Sequence, residues 1–291
     1  MTATLETTEV VENSSIDSLI TKEIDFRVEL RRINTIEEDE AMKLPEHKAT
    51  IRINPDGTKV PLWVVGSRYE IVDHREVIKQ FSQALEKAGL EARCDHRIYK
   101  NGCRIYSFFT IKKVIEMEGE KAVVPFFTLT TSHDGSLRLG FMMGAKVGER
   151  YLNVSKTMYG AQAKHTHGIN IEKTLEEVSK ALSVLTDEVI PMWERMHKVV
   201  LTPEQVKRLV ENAVKKKVIS KRLSEDLGFT NNSSIWDVYT KVVSEVTKVP
   251  DRKGATSERA FWRNTDASEY FSKMMSKDMT SLKAIVEVEE V

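Results

Sequence analysis

The stretch that most constrains this chain is Arg93–Lys112, RCDHRIYKNGCRIYSFFTIK, in which Asn101-Gly102 separates two alternating runs. Asn-Gly in that setting is the strongest short-range hairpin signal, because a two-residue type I′ turn needs φ > 0 at both central positions. A two-residue loop also fixes the register. Lys100 faces Cys103, Ile98 faces Ile105, His96 faces Ser107, and Cys94 faces Phe109. Alternate side chains of a strand point to opposite faces. Cys94, Ile98, Cys103, Ile105, Phe109 and Ile111 therefore make a core face. Arg93, Arg97, Tyr99, Arg104, Tyr106 and Phe108 make the other.

Cations beside flat rings on one side of a sheet suit single-stranded nucleic acid, with guanidinium groups on phosphates and rings against bases. Arg93, Arg97 and Arg104 are the expected phosphate contacts, and Tyr99, Tyr106 and Phe108 the expected stacking residues. Lys156, Lys164 and His165 are secondary phosphate contacts. The structural alternative is that cross-strand Arg–Tyr pairs merely stabilise a sheet.

Length and composition bound the rest. A chain of 291 residues, 41% hydrophobic and 30% charged, has the profile of a soluble globular protein with ample core. No apolar run approaches the roughly 20 residues that span a bilayer. The start, MTATLETTEVVENSS, lacks the basic and apolar blocks of a signal peptide. These features predict a cytoplasmic protein with no membrane association. Two cysteines are too few for a Cys-rich zinc site, and a reducing compartment keeps them as small buried thiols. The net charge is zero, but residues 1–47 hold 12 acidic and 5 basic side chains, leaving the remainder net basic. An acidic arm on a basic body is compatible with a nucleic-acid binder.

Along the chain, the pattern predicts four regions: an acidic, partly disordered arm over 1–45, an antiparallel sheet core with one helix over 46–170, a helical region over 171–275 and an acidic tail over 276–291. A hairpin over 48–65 turns at Asn54-Pro55-Asp56-Gly57, and Pro61 marks an edge strand. Asp73 with Glu76 reads as a capping box opening a helix that ends at Gly89. The Arg93–Lys112 hairpin follows, then AVVPFFTLTTS, an Asp134-Gly135 turn and SLRLGFMMG. Ile171, Leu175, Val178, Leu182, Leu185 and Val189 keep helical spacing until Pro191 bends or breaks the helix. A Thr202-Pro203-Glu204-Gln205 start opens a lysine-rich helix, and helices near 219–227, 234–248 and 256–274 complete the chain. The fold class is α+β: an antiparallel sheet in the order β-β-α-β-β-β-β, with a helical C-terminal half packed on it.

Motifs for chemistry are sparse. His165-Thr166-His167 lacks the further ligands that a metal site needs, and no HExxH or paired Cys-x-x-Cys accompanies it. No phosphate-cradling glycine loop, GxSxG or Cys–His signature is present. The expectation is no metal, no cofactor and no catalytic residue. The enzyme alternative is a metal-dependent nucleic-acid enzyme using His133, Asp134, His165 and His167.

Ser132-His133-Asp134-Gly135-Ser136 resembles a motif of the uncharacterised phage/plasmid-like protein family, domain of unknown function nine-three-two. Its members share a Gly-x-x-Tyr start, here Gly66-Ser67-Arg68-Tyr69, and a glycine before an Arg-Ile/Val strand, here Gly102-Cys103-Arg104-Ile105. Then come an Arg…Asn-Thr segment (Arg150…Asn153), Lys164-His165-Thr166, and a late pattern of Trp236, Tyr239 and, with altered spacing, Thr247. The order of the motifs over roughly residues 60–265 carries the resemblance. The family's Cys-Asn-Thr is replaced by Leu152-Asn153-Val154-Ser155. The resemblance implies a phage or mobile-element origin and brings no established activity. By topology alone, the element order is similar to the phage single-strand annealing proteins of the RecT/Redβ type, a fold-level analogy.

The resulting expectation is a non-catalytic, single-stranded-DNA-binding protein of the annealing or recombination type. It would be homo-oligomeric and would work beside host or phage replication and recombination proteins. The alternative is an interaction factor that acts on a host protein through a helical surface bearing Trp193, Trp236 and Trp262.

Overall fold

Asn101 and Gly102 adopt φ of 56° and 88°, and the Cys103 amide donates to the Lys100 carbonyl at 3.0 Å, which closes the two-residue turn. In the computed structural model, strands β5 (Ala92–Tyr99) and β6 (Arg104–Ile111) then pair in the register that this turn dictates: Tyr99 with Arg104, Arg97 with Tyr106, His96 with Ser107, Cys94 with Phe109. The structure describes residues 8–10, 20–21, 23–37, 40–154, 160–163, 178–248, 257–275 and 279–286.

The class is α+β. The chain divides into two compact units. The first comprises residues 1–113, 126–142 and 161–180; the second comprises 114–125, 143–160 and 181–291. Strands β1 (Thr8–Val10), β2 (Arg27–Glu37), β3 (Glu40–Ile53) and β4 (Lys59–Gly66) precede helix α1 (His74–Lys87). After β6 come β7 (Ile115–Met117), β8 (Glu120–Ser132), β9 (Leu139–Val147), β10 (Arg150–Asn153) and β11 (Gly160–Ala163). The large sheet has the order β1-β5-β6-β8-β9-β10, with β7 on β8 and β11 on β9. The antiparallel run of four strands after the helix is as the sequence predicts.

The two strands before α1 do not join that sheet. With β2 they form a separate three-stranded sheet in which β3 lies between β2 and β4. The segment expected to be an arm therefore carries β2 and the first part of β3, and Thr8–Val10 runs antiparallel along β5. Pro61 does sit on an edge strand, where a missing N–H is tolerated. The shift in register between Thr50 and Ile51 leaves Leu62 as a bulge beside it.

Helix α1 forms because Asp73 caps it, and its side chain accepts from the Arg75 amide at 2.9 Å rather than from Glu76 as a capping box requires. Gly89, at φ 70°, ends it, and the Leu90 amide returns to the Leu85 carbonyl. The stripe Val77, Ile78, Phe81 and Leu85 is buried against the core face of the sheet. Phe81 lies at its centre, with ring centroids 4.8 Å from Phe109, 5.9 Å from Phe127 and 5.6 Å from Phe141. Cys94 and Cys103 are free thiols within this core.

The second unit is mainly helical. Helix Val178–Val184 passes through a π-type turn, Leu185–Val189, into helix Ile190–Lys198. Pro191, expected to bend or break the helix, falls at the start of helix Ile190–Lys198. The π turn widens the hydrogen-bond ring just before it, so the missing N–H and the ring's bulk are absorbed. Thr202 and Gln205 form the predicted capping box on helix Pro203–Lys215, and Ser234 with Asp237 forms another on helix Ile235–Thr247. Trp193 and Trp236 are each about 1% exposed, with rings 5.7 Å apart, so the surface expected of them is core instead. Among the described residues, no helix is long and apolar enough to cross a membrane.

Candidate functional site

The turn of the β5–β6 hairpin gathers three short motifs that lie far apart in sequence. The Tyr69 hydroxyl donates to the Ser132 carbonyl at 2.7 Å. The His133 amide donates to the Cys103 carbonyl at 2.7 Å. Arg104 Nε donates to Asp134 Oδ2 at 2.7 Å, and Lys100 Nζ lies 3.4 Å from the same oxygen. Gly66–Tyr69, Gly102–Ile105 and Ser132–Ser136 thus meet around one carboxylate.

That carboxylate is inaccessible yet charged. Burial alone would raise its pKa. Hydrogen bonds from the Ser136 hydroxyl and amide, with the Arg104 guanidinium, outweigh burial and bring Asp134 down to about 2. Burial also pushes the Tyr69 phenol up and the Cys103 thiol to about 11, so neither ionises near neutrality. The Asp134-Gly135 loop runs from Ser132 to Leu139 and is longer than the two-residue turn its sequence suggests. Asp134 bonds forward to Ser136 and so shapes the loop itself.

Two histidines complete the cluster. The rings of His74 and His133 stack with centroids 3.8 Å apart, and His74 Nε2 lies 3.1 Å from the Gly102 carbonyl. Phe26 stands edge-on to both rings. Both histidines are almost fully buried. Among the described residues, no group of three or more His, Cys, Asp or Glu side chains is placed to hold a metal ion. Lys156, Lys164, His165 and His167 lie outside the described residues.

The six hairpin residues do share one face, but they are not equally available. Arg97 on β5 is exposed, and its guanidinium lies 5.0 Å from the centroid of the Phe108 ring. Arg93 keeps 41% of its side-chain exposure beside Asp95, 3.7 Å away. Tyr99 is half-buried, with its ring 5.6 Å from that of Tyr106. Tyr106 is only 1% exposed, which corrects its assignment as a stacking residue. Arg104 is 17% exposed and committed to Asp134, so it is a positioning group rather than an open phosphate contact. The reason lies in β6 and β8. Their face beyond Tyr106, at Thr128, Thr130 and Ser132, is buried as well, so these strands are covered on both sides.

Two residues that the hairpin pattern did not single out complete the exposed part of the site. Trp63 on β4 is 52% exposed, and the Lys100 ammonium lies 4.8 Å from its ring centroid. A tryptophan two residues after the edge-strand proline was the available signal.

No curated protein and no solved structure matches the chain. The family model described as Domain of unknown function (DUF932) matches residues 61–276, and its span takes in all three motifs around Asp134. This chain belongs to that family.

Proposed function

We propose that the protein binds a single strand of nucleic acid along the β5 side of its hairpin, as a non-catalytic factor of the annealing type. The observation that carries this reading is the exposed Arg97 guanidinium resting on Phe108, with Arg93, Tyr99 and Lys100 on the same strand and turn. A guanidinium stacked on a ring presents its N–H edge to a phosphate, while the neighbouring ring offers a face to a base. Backbone contacts of this kind hold a strand and leave its base edges free to pair, which is what annealing requires. Arg93, Arg97, Tyr99 and Phe108 remain as contacts from the hairpin, and Lys100 joins them.

Fluorescence anisotropy with labelled single- and double-stranded oligonucleotides at two salt concentrations tests the reading. The expected result is preference for the single strand and binding that weakens steeply with salt through counterion release. Equal binding of duplex, or affinity indifferent to salt, overturns it.

A further inference from the structure

We infer that Trp63 and Lys100 form a base-stacking station at the hairpin turn, which extends the strand's path from the β5 side onto the three-stranded sheet. The inference rests on the nucleic-acid reading above and adds where the strand goes next.

Trp193 and Trp236, in the core of the helical unit, are about 1% exposed, whereas Trp63 keeps 52% of its surface. Leaving so large a ring in water forfeits burial of the residue type with most to gain from it. The backbone that carries the ring is nonetheless held in place. Its residue pairs with Thr50 on β3, whose hydroxyl donates to the Trp63 carbonyl at 3.2 Å, and the bulge at Leu62 sets its register. The surroundings are cationic. Lys100 Nζ stands 4.8 Å from the ring centroid. Arg52 reaches the same turn, where it donates to the Asn101 carbonyl at 2.8 Å.

The turn geometry is what delivers Lys100. Lys100 and Asn101 both have positive φ, at 53° and 56°, and Asp134 lies 3.4 Å from the ammonium. An exposed ring on a paired strand, with an ammonium beside it, is complementary to one nucleotide: the base takes the ring face and the phosphate takes the cation. A paired base already has both faces covered by its neighbours, so the station selects single strands. An acidic peptide would use Lys100 but has no use for the indole face, which is why a polynucleotide is the favoured occupant.

Intrinsic tryptophan fluorescence and anisotropy with oligo-dT, read on the whole chain, test this. In the wild type, oligo-dT quenches tryptophan emission; in Trp63→Phe most of that quenching is lost. Trp63→Ala weakens oligo-dT binding roughly 5- to 160-fold, the range expected for loss of one stacked base. Lys100→Met weakens binding and flattens its salt dependence, and serves as the second variant if Trp63→Ala does not fold. Unchanged affinity in both variants, or full quenching in Trp63→Phe, overturns the station while the hairpin reading stands. No binding by the wild type overturns both.

Discussion

Arg104 on β6 and Asp134 in the loop after β8 lie 30 positions apart and share a 2.7 Å charge-assisted hydrogen bond in which the carboxylate is about 1% exposed. The bond ties the hairpin to the loop after β8. It also makes Asp134 a source of acid sensitivity. Its folded pKa of about 2 lies below the ordinary 3.8, so its stabilisation is fully present above pH 3.8 and is lost as pH falls toward 2. Asp134→Asn keeps the shape but strands Arg104. The expected cost is about 2–3 kcal/mol at pH 7, shrinking at pH 2–3. Urea denaturation at both pH values measures it; an equal cost at both would refute the assignment.

Gly102 is expected to be irreplaceable in a way that Gly57 is not. Both have positive φ, at 88° and 81°. A Cβ at Gly102 would fall 2.6 Å from the Phe26 ring, whereas one at Gly57 meets nothing within 4 Å. Gly57→Ala should cost about 1 kcal/mol from backbone strain alone. Gly102→Ala should cost clearly more, about 2–4 kcal/mol, because the ring must also move. Paired denaturation curves decide this, and similar midpoints would show that the ring yields freely.

Phe81→Ala empties the centre of the aromatic cluster beneath the hairpin. The ring is fully buried, and loss of such a side chain costs about 3–5 kcal/mol. Thermal unfolding followed by circular dichroism gives the value. A change below about 1 kcal/mol would mean that the cluster collapses to fill the space.

Arg97 and Tyr106 face each other across the hairpin but should behave differently. Arg97→Ala should leave the fold intact, weaken single-strand binding and lower the salt slope by about 0.7. Tyr106→Ala should lower stability by about 3 kcal/mol or more, as large-to-small core changes do. Anisotropy and melting on both variants separate the roles. An Arg97→Ala variant with undiminished affinity would remove the carrying contact of the proposed function.

The hairpin was legible because Asn-Gly admits one turn and the turn admits one register; every pairing from Cys94 to Arg104 follows from it. Capping at Thr202 was legible for the same local reason. The occlusion of Tyr106 was also written in the chain, though less openly. Strand β6 reads RIYSFFTI and β8 contains VVPFFTL, near-continuous apolar runs of the kind found in strands covered on both faces. Alternation had suggested one open face. The convergence of Tyr69, Arg104, His133 and Asp134 was not legible, because it depends on contacts between segments that no local pattern links. For Trp63 the edge-strand proline was the one local sign; its exposure is set by which sheet β4 joins.

Phe26 and Arg52 come before residue 61, where the family match begins, yet Phe26 packs on Gly102 and Arg52 holds the Asn101 carbonyl. Strand β4 also pairs with β3, which lies upstream of that limit. A fragment trimmed to 61–276 would uncover the hairpin turn and orphan the strand that carries Trp63. The recognisable family segment is therefore shorter than the smallest piece able to keep its own central turn intact.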